Sequence, residues 1–265
     1  METIQNNLNY IINEVSSNLN TKSKIFSIEG NIGAGKTTLI ENLEKLLKDD
    51  PTVKFVREPV DIWDKIKDKN GETILSNFYS DPEKYGFAFQ IMAYSTRISL
   101  LRKTMKENPK CKVFICERSL DADKHIFAKM LFDDNIMDDM CYQIYSNIYE
   151  EYKDEFKLDG IIYVDVDPIK CYERIHLRSR EGESDISQEY LFKCKKYHEE
   201  WLHDHENVLR INSTNDVIYD LTDPYNEGTK WLIDAKRFID KLCDNDFDLY
   251  KLSNQIWVDY VTKYM

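Results

Sequence analysis

The residues best suited to chemistry begin with an unbroken run: Gly30, Asn31, Ile32, Gly33, Ala34, Gly35, Lys36 and Thr37. The run satisfies G-x-x-x-x-G-K-[ST] without a mismatch, and Thr38 and a helical pattern, TTLIENLEKLLK, follow it. Glycines at these spacings let the backbone curl until several N–H groups point at one anion. The helix N-terminus behind them adds positive potential. In such a loop Lys36 reaches the β- and γ-phosphates and the Thr37 hydroxyl ligates Mg²⁺. The run predicts a user of a nucleoside triphosphate. Alone it does not separate a kinase from a GTPase or an ATPase.

Two acids and two arginines narrow the chemistry. Glu58 lies in REPVDIW and Glu117 in ERS, each just past an apolar run that reads as a strand. Beside a phosphate loop, one acid can take the proton of an acceptor hydroxyl while the other binds the metal directly or through water. Singly, Glu58 reads equally well as a solvated loop acid and Glu117 as half of an ion pair. Phosphoryl transfer needs chiefly alignment and charge neutralisation, so few groups suffice. Arg178 and Arg180 stand two apart in LRSREGES, a segment with little apolar content in a chain of net charge −12.

The elements that must position these groups follow from periodicity. Five runs rich in β-branched or aromatic residues read as buried strands: 24–28, 53–57, 112–116, 160–166 and 207–211. Helical patterns long enough to be crossovers separate them, which predicts an α/β fold with a parallel sheet and helices on both faces. In such sheets ligands bind outside the carboxyl ends of the strands, where Glu58, Glu117 and the glycine loop fall. Residues 81–107 read as one helix, with Asp81 as N-cap and Pro82 at the first position. Gln90, Ala93 and Arg97 share one face of it.

Composition sets outer limits. The chain has 265 residues, 42% of them hydrophobic, enough for one sizeable core. Its acidic balance argues against a nucleic-acid partner. Six cysteines without a C-x-x-C pair read as reduced thiols of a cytoplasmic protein. No apolar run is long enough to span a membrane. Residues 1–23 read as a short amphipathic helical segment, not a transit peptide. HEEWLH (198–203) is not a zinc motif, because its histidines are five apart where H-E-x-x-H needs four.

Taken in order, GNIGAGKTT, REPVDIW, FAFQIMAYSTR, ERSLDADKHIFAKML and RIHLRSREGESDISQEYLFKCKKYHEEWL resemble the deoxyribonucleoside kinases of the deoxycytidine/deoxyguanosine/mitochondrial thymidine kinase family. The resemblance runs from about residue 24 to about residue 217. It implies a P-loop kinase fold with an arginine-bearing lid over about 174–186, and transfer of the γ-phosphate of ATP to the 5′-hydroxyl of a deoxyribonucleoside. It makes Glu58 the general base, places Glu117 near Mg²⁺, and has Arg118 support the 5′ end. Gln90 becomes the reader of the base, with Trp63 and Phe127 around it, and Tyr79 and Glu183 touch the sugar 3′-hydroxyl. Arg178 and Arg180, helped by Arg174, close on the phosphates. The segment 212–220, which contains Asp216, loosely resembles the loop that holds the adenine of ATP. A homodimer and inhibition by end-product triphosphates are also implied.

An Arg97–Asp123 pair would offer donors and acceptors to a purine edge, and Ala93 would leave room, so purine or broad acceptance is expected over strict thymidine. Lys124, where the family usually has arginine, and Asp121, expected near the pocket mouth, depart from the pattern. Two other readings share the phosphate loop. A thymidylate kinase would carry D-R in place of E-R-S, and a regulatory nucleotide-binding module would need neither Glu58 nor the base-reading helix. The expected organisation is an N-terminal segment (1–23), a kinase domain (24–242) and a C-terminal extension (243–265) without an assigned role.

Overall fold

The structure, a computed structural model, describes residues 23–243 apart from Glu181. The expected N-terminal helical segment, and the C-terminal extension beyond Cys243, lie outside the described residues. Five strands form one all-parallel sheet in the order β2-β3-β1-β4-β5. They are β1 (Lys24–Gly30), β2 (Val53–Val56), β3 (Val113–Glu117), β4 (Gly160–Asp165) and β5 (Val208–Asn212). Each matches an expected strand to within two residues at either end. β1 runs past Ile28 because Glu29 and Gly30 still pair with Tyr163 and Val164 of β4. β1 lies in the middle of the sheet, and from it the chain winds first to one edge and then to the other. The strand order therefore reverses beside β1, where a ligand crevice opens.

The helices follow in chain order: α1 (Lys36–Leu46), the short α2 (Val60–Trp63), α3 (Ile74–Ser80) and the long α4 (Pro82–Glu107). α5 starts at Leu120–Ala122, becomes π-helical over Asp123–Ala128, and resumes as Lys129–Asp133. Then come α6 (Asp139–Tyr152), α7 (Pro168–Arg178), α8 (Gln188–Leu202) and α9 (Glu227–Leu242). Caps fix several starts. The Asp81 side chain accepts from the Lys84 N–H ahead of Pro82, as expected, and Asn226 caps α9 through the Thr229 N–H.

Near-continuous burial of β1, β3 and β4 is what a sheet covered on both faces requires. On one face Phe26 and Ile28 pack with Leu39, Ile40 and Leu43 of α1 and with Leu232, Ala235 and Ile239 of α9. On the other, Ile25, Phe114 and Cys116 pack with Tyr94 and Ile98 of α4 and Tyr145 of α6. A third cluster, with Trp63, Leu75, Phe78, Phe89 and Ala93, joins α2, α3 and α4 above the strand ends. It holds the roof of the site.

Candidate active site

The glycine loop occupies the turn between β1 and α1. Gly33 has φ 77°, and a Cβ there would lie 2.5 Å from the Cys171 carbonyl oxygen of α7, so only glycine fits. Gly35, at φ 94°, is the N-cap of α1. Lys36 is buried, and its Nζ donates to the carbonyls of Gly30 (3.2 Å) and Asn31 (2.8 Å). Burial, and then the charge of Arg118, push its ammonium down to about 8. A polyphosphate is the counter-charge such a lysine lacks. The Asn31 amide donates to the Leu191 carbonyl (2.8 Å) and ties the loop to α8. Ala34 is fully buried; Thr38 is exposed in the first turn of α1.

One cavity begins at this loop, where Ile32, Gly33, Lys36 and Thr37 line it, and continues under α4. The Thr37 hydroxyl donates to the Glu117 carboxylate at the end of β3, and Arg57 Nη1 lies 4.0 Å from the other Glu117 oxygen. Two hard oxygen donors in contact beside a phosphate loop fit a Mg²⁺ ion that takes its other ligands from phosphates and water. Among the described residues no group of three or more His, Cys, Asp or Glu side chains could hold a metal without such help.

Glu58 stands at the centre. Its Oε1 accepts from Arg97 Nη2 at 3.1 Å and lies 3.4 Å from Arg118 Nε. Burial alone would raise its carboxyl, but Arg118, Arg97 and Lys36 outweigh burial and hold it below the usual carboxylate range. It is therefore an ionised acceptor at neutral pH. Arg118 is buried with φ 63°, a left-handed conformation that a non-glycine residue takes only under constraint. Its guanidinium lies 4.7 Å from the Phe127 ring, and its Nη1 has no partner among the described residues.

The far half of the cavity is shaped for a flat, partly polar molecule. Trp63, Phe89 and Phe127 supply aromatic walls, and Ala93 leaves the centre open. Trp63 is fixed by its indole N–H donating to Thr96 Oγ1 at 3.0 Å. Gln90 is buried in this wall, and its Oε1 has no partner among the described residues. Arg97 is fully engaged: Nε donates to Asp123 (2.9 Å), Nη1 to the Glu117 carbonyl (3.0 Å) and Nη2 to Glu58. Burial raises the Asp123 carboxyl, and Arg97 opposes it. Asp123 and Phe127, four apart on α5, lie on the cavity side together.

Tyr79 and Glu183 close one side of the cavity. Burial, then the nearby Glu183 carboxylate, push the Tyr79 phenol up. Glu183 is buried and accepts from both Arg178 and Arg180, the second at 3.3 Å. Both arginines also line the cavity.

Thus Lys36, Thr37, Glu58, Trp63, Tyr79, Gln90, Ala93, Arg97, Glu117, Arg118, Asp123, Phe127, Arg178, Arg180 and Glu183 meet in one cavity. Arg174 and Asp216 do not. They pair with each other at 2.8 Å, and Arg174 also donates to the Ser213 carbonyl and, at 3.4 Å, to the Ala34 carbonyl behind the phosphate loop. One expectation needs correcting. Asp121 is not at the cavity mouth. It accepts from the Tyr149 hydroxyl (2.6 Å) on the α6 side, and Lys124 likewise turns away to Ser146 and the Tyr142 ring. A helix that shows Asp123 and Phe127 to the cavity must show Asp121 and Lys124 elsewhere.

Sequence reasoning missed Val60, Leu75, Phe78, Phe89 and Tyr190 in the walls. It also missed Glu29, buried below the floor. Among the described residues all six cysteines are free, and no helix is long and apolar enough to cross a membrane. His198, from the rejected zinc motif, is fully buried and stacks on Tyr163.

A phosphate loop and an aromatic, amide-lined chamber thus share one cavity, with an ionised carboxylate between them. A model of the deoxynucleoside kinase family matches residues 26–255. The chain belongs to that family. As a deoxynucleoside kinase it uses ATP as phosphate donor, which sets aside the thymidylate kinase and regulatory-module readings. It is 38% identical over 216 residues to a probable deoxycytidine kinase of Fowlpox virus, covering 78% of this chain and 86% of the relative. It is 35% identical over 207 residues to human deoxycytidine kinase, covering 71% and 78%. It is 31% identical to a mitochondrial deoxyguanosine kinase of Xenopus laevis over 210 residues, covering 72% and 78%.

Proposed function

We propose that this deoxynucleoside kinase carries out its transfer to the 5′-hydroxyl with Glu58 as proton acceptor, and that it accepts deoxycytidine and purine deoxynucleosides alike. The observation that carries the reading is the placement of Glu58. It lies between the lysine of the phosphate loop and a chamber whose buried Gln90 amide has an oxygen to spare. An amide presents a donor and an acceptor on one edge, so it can read a base bidentately.

In this reading the nucleoside lies between Trp63 and Phe127, with its base edge on Gln90 and its 3′-hydroxyl at Tyr79 and Glu183. Its 5′-oxygen meets Glu58 and Arg118. Glu58 is a weak base, because three cations hold its charge. A loose phosphoryl transition state tolerates this, since the proton leaves late and alignment does most of the work. Lys36, Arg118, Arg178 and Arg180 spread the charge of the moving phosphoryl group. Mg²⁺, held by Thr37 and Glu117, would neutralise the phosphates of the donor. Arg174 and Asp216 brace the phosphate loop and the 213–216 segment from outside. The Asp123 carboxylate, held in place by Arg97 beside Ala93, supports acceptance of the larger purine edge.

Residues 24–242 are the kinase unit in this reading, working in the cytoplasm as a homodimer without a nucleic-acid partner. Exposed Met140 and Ile144 on α6 support association, which sedimentation checks. A turnover panel with the four natural deoxynucleosides and dTMP tests the acceptor. Phosphorylation of deoxycytidine, deoxyguanosine and deoxyadenosine is expected. Turnover of dTMP without any nucleoside would refute the reading.

A further inference from the structure

The floor beneath Glu58 contains an acid to which the reaction as described gives no task. Glu29 ends β1, directly before the glycine loop, and is fully buried. By strand alternation it shares the face of Ile25 and Ser27, which turns toward α4. Neither carboxyl oxygen has a well-formed hydrogen bond among the described residues, and the Ser27 and Ser119 hydroxyls beside it give only weak support to its charged form. Buried polar groups are almost always satisfied, so such a cluster calls for a cause.

Arg118 follows β3 directly, and its backbone N–H donates to the Ile28 carbonyl at 3.1 Å, one residue before Glu29. The other charged and polar groups whose fields reach Glu29 are Ser119, Cys116 in β3, Arg97 on α4, Lys36 on α1 and Ser27 on its own strand. Arg97 is saturated by Asp123, Glu58 and the Glu117 carbonyl. Arg118 is not. Its Nε lies 3.4 Å from Glu58, and its Nη1 has no partner among the described residues. An unmatched guanidinium donor and an unmatched carboxyl thus occupy one buried floor. A buried acid so weakly supported destabilises the fold, because charge is disfavoured there.

We propose that Glu29 is a positioning residue that acts on Glu58 through Arg118. Its carboxyl draws on the Arg118 guanidinium from below and shares the charge that Glu58 would otherwise hold alone. Glu58 then keeps enough basicity, and a free enough oxygen, to receive the proton of the acceptor hydroxyl. Without Glu29 the Arg118–Glu58 pair tightens. The proposal rests on Glu58 being the proton acceptor.

The test is run at about pH 8, where the raised Glu29 carboxyl is ionised. It compares the full chain with Glu29→Gln, Glu29→Asp and Glu58→Gln, using ATP and the best acceptor of the panel. Glu29→Gln is expected to bind ATP with near-wild-type Kd by calorimetry and to lose roughly threefold in kcat, the share of a one-unit loss of basicity that a partial proton transfer feels. Its acceptor KM should change little. Glu29→Asp restores the charge and should recover most of kcat. A merely structural role would lower the melting temperature and spare this split. Wild-type kcat in Glu29→Gln, beside a collapse in Glu58→Gln, overturns the role of Glu29 alone. Wild-type kcat in Glu58→Gln overturns the proton-acceptor reading and this proposal with it. Should Glu29→Gln fail to fold, Glu29→Met, which fills the same space without a polar atom, decides in its place, and wild-type kcat there would refute the proposal.

Discussion

Replacing Glu29 with glutamine has a consequence for stability that can be worked out independently of turnover. Burial is the largest influence on this carboxyl. It pushes the group up to about 7 from an ordinary 4.5, against the opposing pull of Arg118. Between those values the folded chain keeps a proton that the unfolded chain releases. Folding stability contributed by the group is thus complete below about pH 4.5 and disappears as pH rises through about 7. At about 1.4 kcal/mol for each pH unit between the two values, the loss comes to about 3 kcal/mol. That is a large share of the roughly 5–15 kcal/mol that holds a typical domain together. Glutamine has nearly the same shape and no titration, and any penalty from its own unmet amide is independent of pH. Urea unfolding of both proteins at pH 5, 6, 7 and 8, followed by circular dichroism, measures the difference. The variant should gain on the wild type by most of those 3 kcal/mol across the series. Two curves that stay parallel from pH 5 to 8 would falsify the assignment of a buried, proton-holding Glu29.

Other expectations follow from the same geometry. Lys36→Ala should lose both ATP affinity and turnover, because the lysine faces the phosphates in ground and transition states alike; undiminished ATP binding by calorimetry would count against it. Gly33→Ala forces a left-handed alanine against the Cys171 carbonyl, so it should destabilise by at least about 1–2 kcal/mol and weaken ATP binding. A melting temperature and Kd equal to wild type would contradict the close approach. Arg97→Met with Asp123→Ala should shift acceptor preference toward pyrimidines while slowing all acceptors, because Arg97 also holds Glu58. The ratio of purine to pyrimidine kcat/KM is the readout, and an unchanged ratio would show that the pair does not read the base.

The sequence revealed most where one residue type permits only one backbone. The glycine loop, the five strands and the capped start of α4 were legible for that reason. The pairing of Arg97 with Asp123 was legible through the resemblance, and no periodicity would have shown it. The aromatic walls were harder, since Leu75, Phe78 and Phe89 look like any core residues until α3 folds over α4. Asp121 was misplaced because residues two apart on a helix point about 200° apart, so a helix that turns Asp123 to the cavity turns Asp121 away. Glu29 was invisible for a different reason. An acid before a glycine loop reads as a solvated turn residue, and only the covered sheet reveals that it is sealed from water.

The π-helical turn at Asp123–Ala128 also bears on how acceptor choice can change. It holds one more residue than a regular turn would, and successive residues of a regular α-helix are rotated by about 100°. A π turn takes up that extra residue locally, so deleting one residue there would relax the turn and leave the helix beyond it in phase. Only the side chains inside the turn would change place against Arg118 and the acceptor chamber, although no residue outside it had been substituted. Length variation in this one helix is therefore a route to new specificity that a comparison of aligned pocket residues would overlook.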